Sequence, residues 1–173
     1  VTTANVTNVS VSCTTSSFSV TGSITGLTGT GLQLRVNGGA GQAVGGTSYS
    51  LTPQLLSGTA YSVAVAQQPT GQLCTLTNPT GTITSADVSV PVTCLNAYTV
   101  GGTVTGLVGT GLSLSLSAGG TQNVSPSADG SFSFPGLVAT GTGWTASVTS
   151  SPVTQSCTAV GTSGTVAGAN VTS

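Results

Sequence analysis

The chain has 173 residues and a net charge of −1, from one arginine, Arg35, and two aspartates, Asp87 and Asp129, and it contains no histidine, glutamate or lysine. Acid–base and nucleophilic catalysis need groups that hold or release protons near neutral pH, and the two aspartates lie in different halves of the chain. The composition therefore predicts a protein that is not an enzyme and has no cofactor and no metal site. A single cation also excludes binding to nucleic acid or to an anionic membrane surface through a basic patch.

The residue pattern predicts many short β-strands. The chain is 37% apolar and 2% charged, whereas disordered chains combine low hydrophobicity with high charge. Apolar residues alternate with polar ones, as at Leu112, Leu114 and Leu116, and a period of two indicates strands with one buried face. Turn signals such as Asp129-Gly130 separate the runs. We expect an all-β, antiparallel fold with about seven strands per 80 residues and no long helix.

The sequence contains two copies of one repeat. FSVTGSITGLTGTG at 18–31 recurs as YTVGGTVTGLVGTG at 98–111, an offset of 80. Later the offset is 83, because the second copy has three additional residues within AGGTQNVSPSADG, which we expect to be a loop. We expect the matched aromatic residues of this part to pack in the core or between domains. The pairs matched at this offset are SYSL with SFSF, Tyr61 with Trp144, and Cys74 with Cys157.

One motif occurs a third time, near the end of the chain. The pattern V/I-x-x-A-N/D-V-S/T is found at 1–7, at 83–89 and at 166–172. The first copy continues as VSVSC at 9–13 and the second as VPVTC at 90–94, whereas the chain stops at Ser173 after the third. An alternating VxVxC strand is therefore present at the beginning and middle of the sequence and missing from its end.

These residues resemble the tandem Ig-like repeats of bacterial cell-surface and secreted proteins. The resemblance rests on FSVTGSITGL and YTVGGTVTGL, followed in the first copy by QPTGQLC and PVTC. In that family a unit begins with the aromatic-x-V-x-G strand and ends with the Cys-bearing strand. The second copy departs from the pattern in having SPVTQSC and in lacking the last strand. The resemblance covers almost the whole chain, implies antiparallel Ig-like β-sandwiches and specifies no ligand.

The resemblance also implies where the units begin and end. If the units are divided as in that family, residues 14–95 form the first domain and residues 96–173 the second. An N-terminal donor strand at 1–13 then precedes both. Cys74 then pairs with Cys94 inside the first domain. The second domain lacks its last strand, so it exposes an open sheet edge and part of its core, and such an edge accepts any matching strand.

The donor strand supplies that match, in the manner of pilin-like filament subunits. We expect Val9 and Val11 to insert into the second domain of an identical subunit, and Cys13 to form an intersubunit disulfide with Cys157. Because this contact joins different surfaces head to tail, its repetition produces an open filament. The expected partners are thus identical subunits in a homopolymer.

A second phase remains open from the residues alone. If each unit instead begins with its VxVxC strand, both units are complete, and Cys13 pairs with Cys74 and Cys94 with Cys157. That phase predicts a stalk or spacer module of a longer surface adhesin. Glycan or ice binding is a third possibility, although exposed aromatics are scarce and TGTGL occurs once per unit. Zinc is an alternative to disulfides, but no CxxC pair is present.

The cysteines and the hydropathy indicate a secreted, extracellular protein of the cell surface. Four widely spaced cysteines fit an oxidising compartment, and no apolar run is long enough to span a membrane. The chain has no methionine, so we expect Val1 to be a processed terminus or a cut within a longer product. Possible glycan acceptors in Asn-x-Ser/Thr triplets are Asn5, Asn8, Asn123 and Asn170.

Overall fold

The structure is a computed structural model that describes residues 9–172. Within these residues the fold is all-β and contains no helix, which confirms the prediction made from the alternating pattern. The strands of the first repeat are β1 (Ser17–Thr25), β2 (Gln33–Val36), β3 (Gln42–Ala43), β4 (Ser48–Leu56), β5 (Ala60–Gln67), β6 (Gln72–Leu76), β7 (Thr80–Thr82), β8 (Val88–Ser89) and β9 (Val92–Tyr98). The strands of the second repeat are β10 (Gly101–Val104), β11 (Ser113–Ser117), β12 (Thr121–Val124), β13 (Gly130–Ser133), β14 (Val138–Ala139), β15 (Gly143–Ser150) and β16 (Ser163–Thr165).

Two sheets enclose the core of the first repeat. In one sheet, β1 pairs antiparallel with β4 along one edge and parallel with β8 and then β9 along its other edge. β6 pairs antiparallel with β9. The other sheet has the order β3-β2-β5-β7 and is antiparallel throughout. β9 therefore lies between β1 and β6, inside its sheet rather than at an edge.

The second repeat has the same antiparallel sheet but a reduced version of the other one. The order β12-β11-β15-β16 matches β3-β2-β5-β7 strand for strand. Opposite this sheet β10 pairs with β13, and β14 pairs with the end of β9. A parallel bridge between Val100 and Val171 lies where β1 meets β8 in the first repeat. Among residues 9–172, no strand of the second repeat takes the places of β9 and β6.

Each repeat has its own cluster of buried apolar side chains. Alternate residues of a strand point to opposite faces, so one set from each sheet meets between the sheets. In the first repeat this set includes Val20 and Leu34, and in the second it includes Val100 and Phe134. The burial of apolar area in these two clusters is the main contribution that holds the strands together.

The matched aromatic residues Tyr61 and Trp144 lie partly buried against the two clusters. Each ring contacts a glycine on the neighbouring strand, Gly81 beside Tyr61 and Gly164 beside Trp144. A ring over a strand glycine covers backbone that has no side chain of its own. Both aromatic residues therefore take part in packing.

One nearly continuous strand connects the repeats. β9 ends at Tyr98 and β10 begins at Gly101, and the pair β13 and β14 runs antiparallel beside both. The end of β9 and β10 together hold the place that β1 has in the first repeat. The division between residues 95 and 96 thus falls inside β9.

The segment with additional residues in the second repeat was expected to be a loop, and for part of it that expectation is wrong. Residues Thr121–Val124 form β12, which makes a hairpin with β11, and the matching first-repeat segment contains β3. Strands of two to four residues carry too little alternation to be recognised in a sequence. No helix among the described residues is long and apolar enough to cross a membrane.

Candidate functional site

In the first repeat, β9 fills the space between β1 and β6. Val92 pairs with Ile24 in parallel register, and Cys94 lies opposite Cys74 in antiparallel register. Val92 and the preceding Val90 are fully buried in the core. β9 therefore completes the sheet with its backbone and the core with its side chains.

The same place in the second repeat is an open groove with a volume of about 470 Å³. One wall is β10 with the residues that follow it, and the other is formed by residues 155–162. Val104 and Cys157 match Ile24 and Cys74 of the first repeat, and both are only partly buried where their counterparts are buried. The floor is apolar and includes Leu114, Phe134, Ala146 and Val148.

The groove wall at residues 155–159 matches β6 in sequence but forms no strand. In the first repeat β6 pairs with β9 and with no other strand among the described residues. A strand is held by its hydrogen-bonded neighbour, so this segment has no ladder to join when the β9 position is empty. Among residues 9–172, the second repeat thus has no strand at the β9 position and no regular structure in the segment that matches β6.

Two cysteines are paired and two are free. Cys74 and Cys94 form a disulfide between β6 and β9, whereas Cys13 and Cys157 are free thiols. This disulfide is incompatible with the alternative phase, in which Cys74 pairs with Cys13. Cys157 lies on the groove wall, and Cys13 is exposed to solvent in the N-terminal segment.

The N-terminal segment at residues 9–16 forms no strand. Val9 is 79% exposed and Val11 is 81% exposed, although their counterparts Val90 and Val92 are completely buried. Residues 1–8 of the predicted donor strand lie outside the described part of the chain. The described chain therefore carries an unfilled groove and, separately, an exposed segment with the pattern of the strand that fills the matching groove.

A buried glutamine that the sequence analysis overlooked holds the loops at one end of the first repeat. Gln72 is 2% exposed. Its Oε1 accepts hydrogen bonds from the backbone amides of Thr28 and Gly29 at 2.8 and 2.7 Å. Its Nε2 donates to the carbonyl of Gly26 at 2.8 Å and to Oδ1 of Asn96, in β9, at 3.1 Å. The Gln72 side chain thus ties the loop at residues 26–29 to the strand that leaves the repeat.

Gln155 has the same position in the second repeat and makes part of the same set of bonds. Its Oε1 accepts from the backbone amide of Val108 at 2.7 Å, and its Nε2 donates to the carbonyl of Gly106 at 2.8 Å. Among the described residues no counterpart of Asn96 bonds to it, and it is only partly buried. The signal in the sequence was the match of QLC with QSC, in which glutamine precedes each matched cysteine by two positions.

The two aspartates bind backbone amides in separate places. Oδ1 of Asp87 accepts from the amide of Ser19 at 2.7 Å, and Oδ1 of Asn170 accepts from Thr99 at 3.1 Å in the matching place. The carboxylate of Asp129 accepts from two amides of the loop after β10. Within residues 9–172, no group of three or more His, Cys, Asp or Glu side chains is placed to hold a metal ion.

The predicted glycan acceptors differ in their surroundings. Asn123 lies on β12 and Asn170 near the end of the chain, and both residues are exposed. Asn5 and Asn8 lie outside the described residues.

Tyr49 is buried in the core of the first repeat. Its hydroxyl donates to the carbonyl of Val90 at 2.6 Å, and burial raises its pKa to about 12. The bond ties β4 to the residues that lead into β9. The second repeat has Phe132 at this position, so it makes no such bond.

The chain has little similarity to known proteins. No family model matches the chain, and no curated protein matches it. Among solved structures, the chain is similar to one titled the Bacillus anthracis TIE protein, with a TM-score of 0.34 and 12% sequence identity. The likeness covers 92% of this chain and 33% of that one, so the chain spans about a third of that protein's length.

Proposed function

We propose that the chain is the structural subunit of an extracellular filament, a pilus-like or matrix fibre, that polymerises head to tail by donor-strand complementation. The observation that carries the proposal is the open groove of the second repeat, at the place that β9 fills in the first. The paired sheets around each cluster support two Ig-like sandwich domains, residues 14–95 and 96–173, with residues 1–13 as the donor strand. In this proposal the protein is not an enzyme and needs no cofactor.

β9 serves as the template for the donor strand. Val9 takes the place of Val90, and Val11 takes the place of Val92. By the matching register, Val11 of one subunit pairs in parallel with Val104 of the next. Its side chain then enters the core cluster that the open groove leaves accessible. Both donor valines pass from solvent to an apolar environment, which drives the association.

The free thiols fit the same register. Cys94 lies opposite Cys74 and is bonded to it, so Cys13 in the place of Cys94 lies opposite Cys157 of the accepting subunit. Oxidation of the two thiols makes the contact covalent. An oxidising, extracellular compartment is required for this bond, in agreement with the disulfide inside the first repeat.

The donor strand cannot reach the groove of its own chain. β1 spans about 23 Å from Ser17 to Ile24. Val92 lies beside Ile24, and from Val92 the strands β9 and β10 continue in the same direction for about 40 Å to Val104. Cys13 precedes Ser17 by four residues, a tether of at most about 14 Å. The groove that the donor fills therefore belongs to another copy, and the contact joins subunits in one direction.

A second candidate function is favoured by the nearly continuous strand from Val92 to Val104. Through β9 and β10 the chain passes directly from one repeat into the next, as expected of a stalk or spacer module in a longer adhesin. The two candidates differ in what fills the groove: a strand of the same polypeptide in the stalk, and a strand of another subunit in the filament.

Electrophoresis of the denatured, secreted protein without reductant tests the proposal. We expect a ladder of covalent multimers that collapses to one band on reduction, and filaments in electron micrographs of the native material. The Cys13→Ser variant removes the ladder and keeps the Cys74–Cys94 disulfide. Monomers alone, with the Cys13 and Cys157 thiols open to alkylation and no filaments in the images, refute the filament and favour the stalk.

A further inference from the structure

The contact between the repeats inside the chain shows which residues lie at such a joint. Gln72 binds both Asn96, where β9 leaves the first repeat, and the loop of Thr28. The amide of Ala97 donates to the carbonyl of Gly71 at 2.9 Å, so the loop containing Thr70 lies beside the same point. Two exposed threonines thus stand at the end of the first repeat that meets the second.

The matching end of the second repeat is apolar. Val108 has the place of Thr28, and Val153 has the place of Thr70. Gln155 holds the two loops together, through the amide of Val108 and through its own amide, which donates to Pro152 at 3.0 Å. Val108 is 70% exposed and Val153 is fully exposed, at 104% of the reference area. Nothing in the described chain covers these valines.

The opposite end of the molecule shows a corresponding change. The amide of Ser57 donates to the carbonyl of Ser16, as Thr140 donates to Asn96 at the internal joint. Leu56, the residue before Ser57, therefore stands at the end from which the donor strand emerges, and it is 53% exposed. At the internal joint the matching residue is Ala139. The side chain at this position is therefore larger at the free end, where it is Leu56, than at the internal joint.

We propose that these side chains form a second contact between subunits, in which the end of one second repeat, at Val108 and Val153, meets the end of the next first repeat, at Leu56. This inference rests on the proposed function, because the chain that leaves the groove leads directly into β1 of the neighbour. The partner is a second copy of this chain. Two threonines of the internal joint correspond to apolar valines at one free end, and an alanine corresponds to the larger leucine at the other. Water is excluded from these side chains only when the ends meet.

The contact can be removed without touching the donor strand or the groove. Val108→Thr with Val153→Thr, and separately Leu56→Ala, restore the residues of the internal joint. The background for all variants is Cys13→Ser with Cys157→Ser, so that assembly is reversible and the Cys74–Cys94 disulfide remains. Sedimentation gives the concentration of unassembled chain at equilibrium. We expect each variant to raise it roughly tenfold, and the combined variant to raise it by less than the product, because both remove one contact.

Leu95→Thr is the matched control, since Leu95 is an exposed apolar residue at the internal joint; it leaves assembly at the level of the background. As a second measurement, the wild-type cysteines are restored and the rate of ladder formation is followed, which we expect to fall in the valine and leucine variants. The end contact does not exist if the valine and leucine variants form the ladder as fast as the chain with wild-type end residues and leave the same concentration of unassembled chain as the serine background. The donor-strand contact is then unaffected. If the parent gives neither ladder nor filaments, both proposals fail.

Discussion

Truncation of Val9 and Val11 is the most direct test of the proposed donor-strand contact. The change is Val9→Ala with Val11→Ala, in the chain in which Cys13 and Cys157 are serine, so that no disulfide obscures the equilibrium. Each valine is about four-fifths exposed in the free chain, whereas Val90 and Val92 of the template strand are not exposed at all. In the proposed donor-strand contact, insertion buries most of each side chain.

The magnitude follows from the groups removed. Each substitution deletes two methyl-sized groups, worth about 0.8 kcal/mol apiece when fully buried, and the burial change of about 80% reduces this to about 1.3 kcal/mol per valine. The pair then contributes about 2.6 kcal/mol, and unfilled space in the groove adds to it. Differences between variants of one interface are more secure than absolute areas. We expect the unassembled concentration to rise roughly a hundredfold.

Ser12→Ala is the control for this experiment. Ser12 lies between Val11 and Cys13 and matches Thr93, which is exposed in the template strand. It therefore faces away from the core, and its truncation leaves assembly nearly unchanged. Sedimentation and electron microscopy give the readout. If the double valine variant assembles like its parent, or if Ser12→Ala weakens assembly as much, the donor strand does not bind in the register of β9.

Three further predictions concern the first repeat. The pKa of Tyr49 is raised to about 12 in the folded chain from an ordinary value of 10.0, so the unfolded state loses this proton first as the pH rises. The free energy of unfolding therefore falls between about pH 10 and pH 12, and denaturant titrations at several pH values measure the fall, which Tyr49→Phe flattens. Gln72→Ala leaves buried amides and a carbonyl without partners, so denaturant titration shows a free energy of unfolding lower by about 2–4 kcal/mol. Gln155→Ala loses fewer hydrogen bonds and lowers it by roughly half as much, and equal losses would contradict the role given to Gln72. Gly22→Ala places a methyl group against a backbone carbonyl and a tyrosine ring, so thermal unfolding shows a loss of at least about 2 kcal/mol, whereas Gly45→Ala, with nothing within 4 Å, is neutral.

The sequence predicted the strand content well because alternation reports burial directly. Leu112, Leu114 and Leu116 alternate with polar residues, and all three are buried in the second cluster. The offset between the repeats also made it possible to compare the two copies residue by residue. What alternation could not reveal was the short edge strand β12, where the pattern is only four residues long.

The candidate site was harder to predict, because its walls depend on contacts across the sequence. The irregular structure at residues 155–159 was not visible in the sequence, because it follows from an empty neighbouring position in the fold. Gln72 was overlooked because the match of QLC with QSC marks an equivalent position but carries no sign of burial. Its role depends on loop amides that lie more than 40 residues away along the chain.

The nearly continuous strand formed by β9 and β10 has a mechanical consequence for a filament of the proposed kind. Because donor strand, β1, β9 and β10 all run in the same direction, tension along the fibre pulls each of them lengthwise past its neighbours. Every hydrogen bond of a ladder is then strained together, in shear, rather than one after another as when a strand is peeled from its end. Inside each subunit the Cys74–Cys94 disulfide prevents β9 from sliding past β6, and at each junction between subunits a Cys13–Cys157 bond would do the same. Such a fibre resists stretching along its axis far better than it resists peeling from one exposed end.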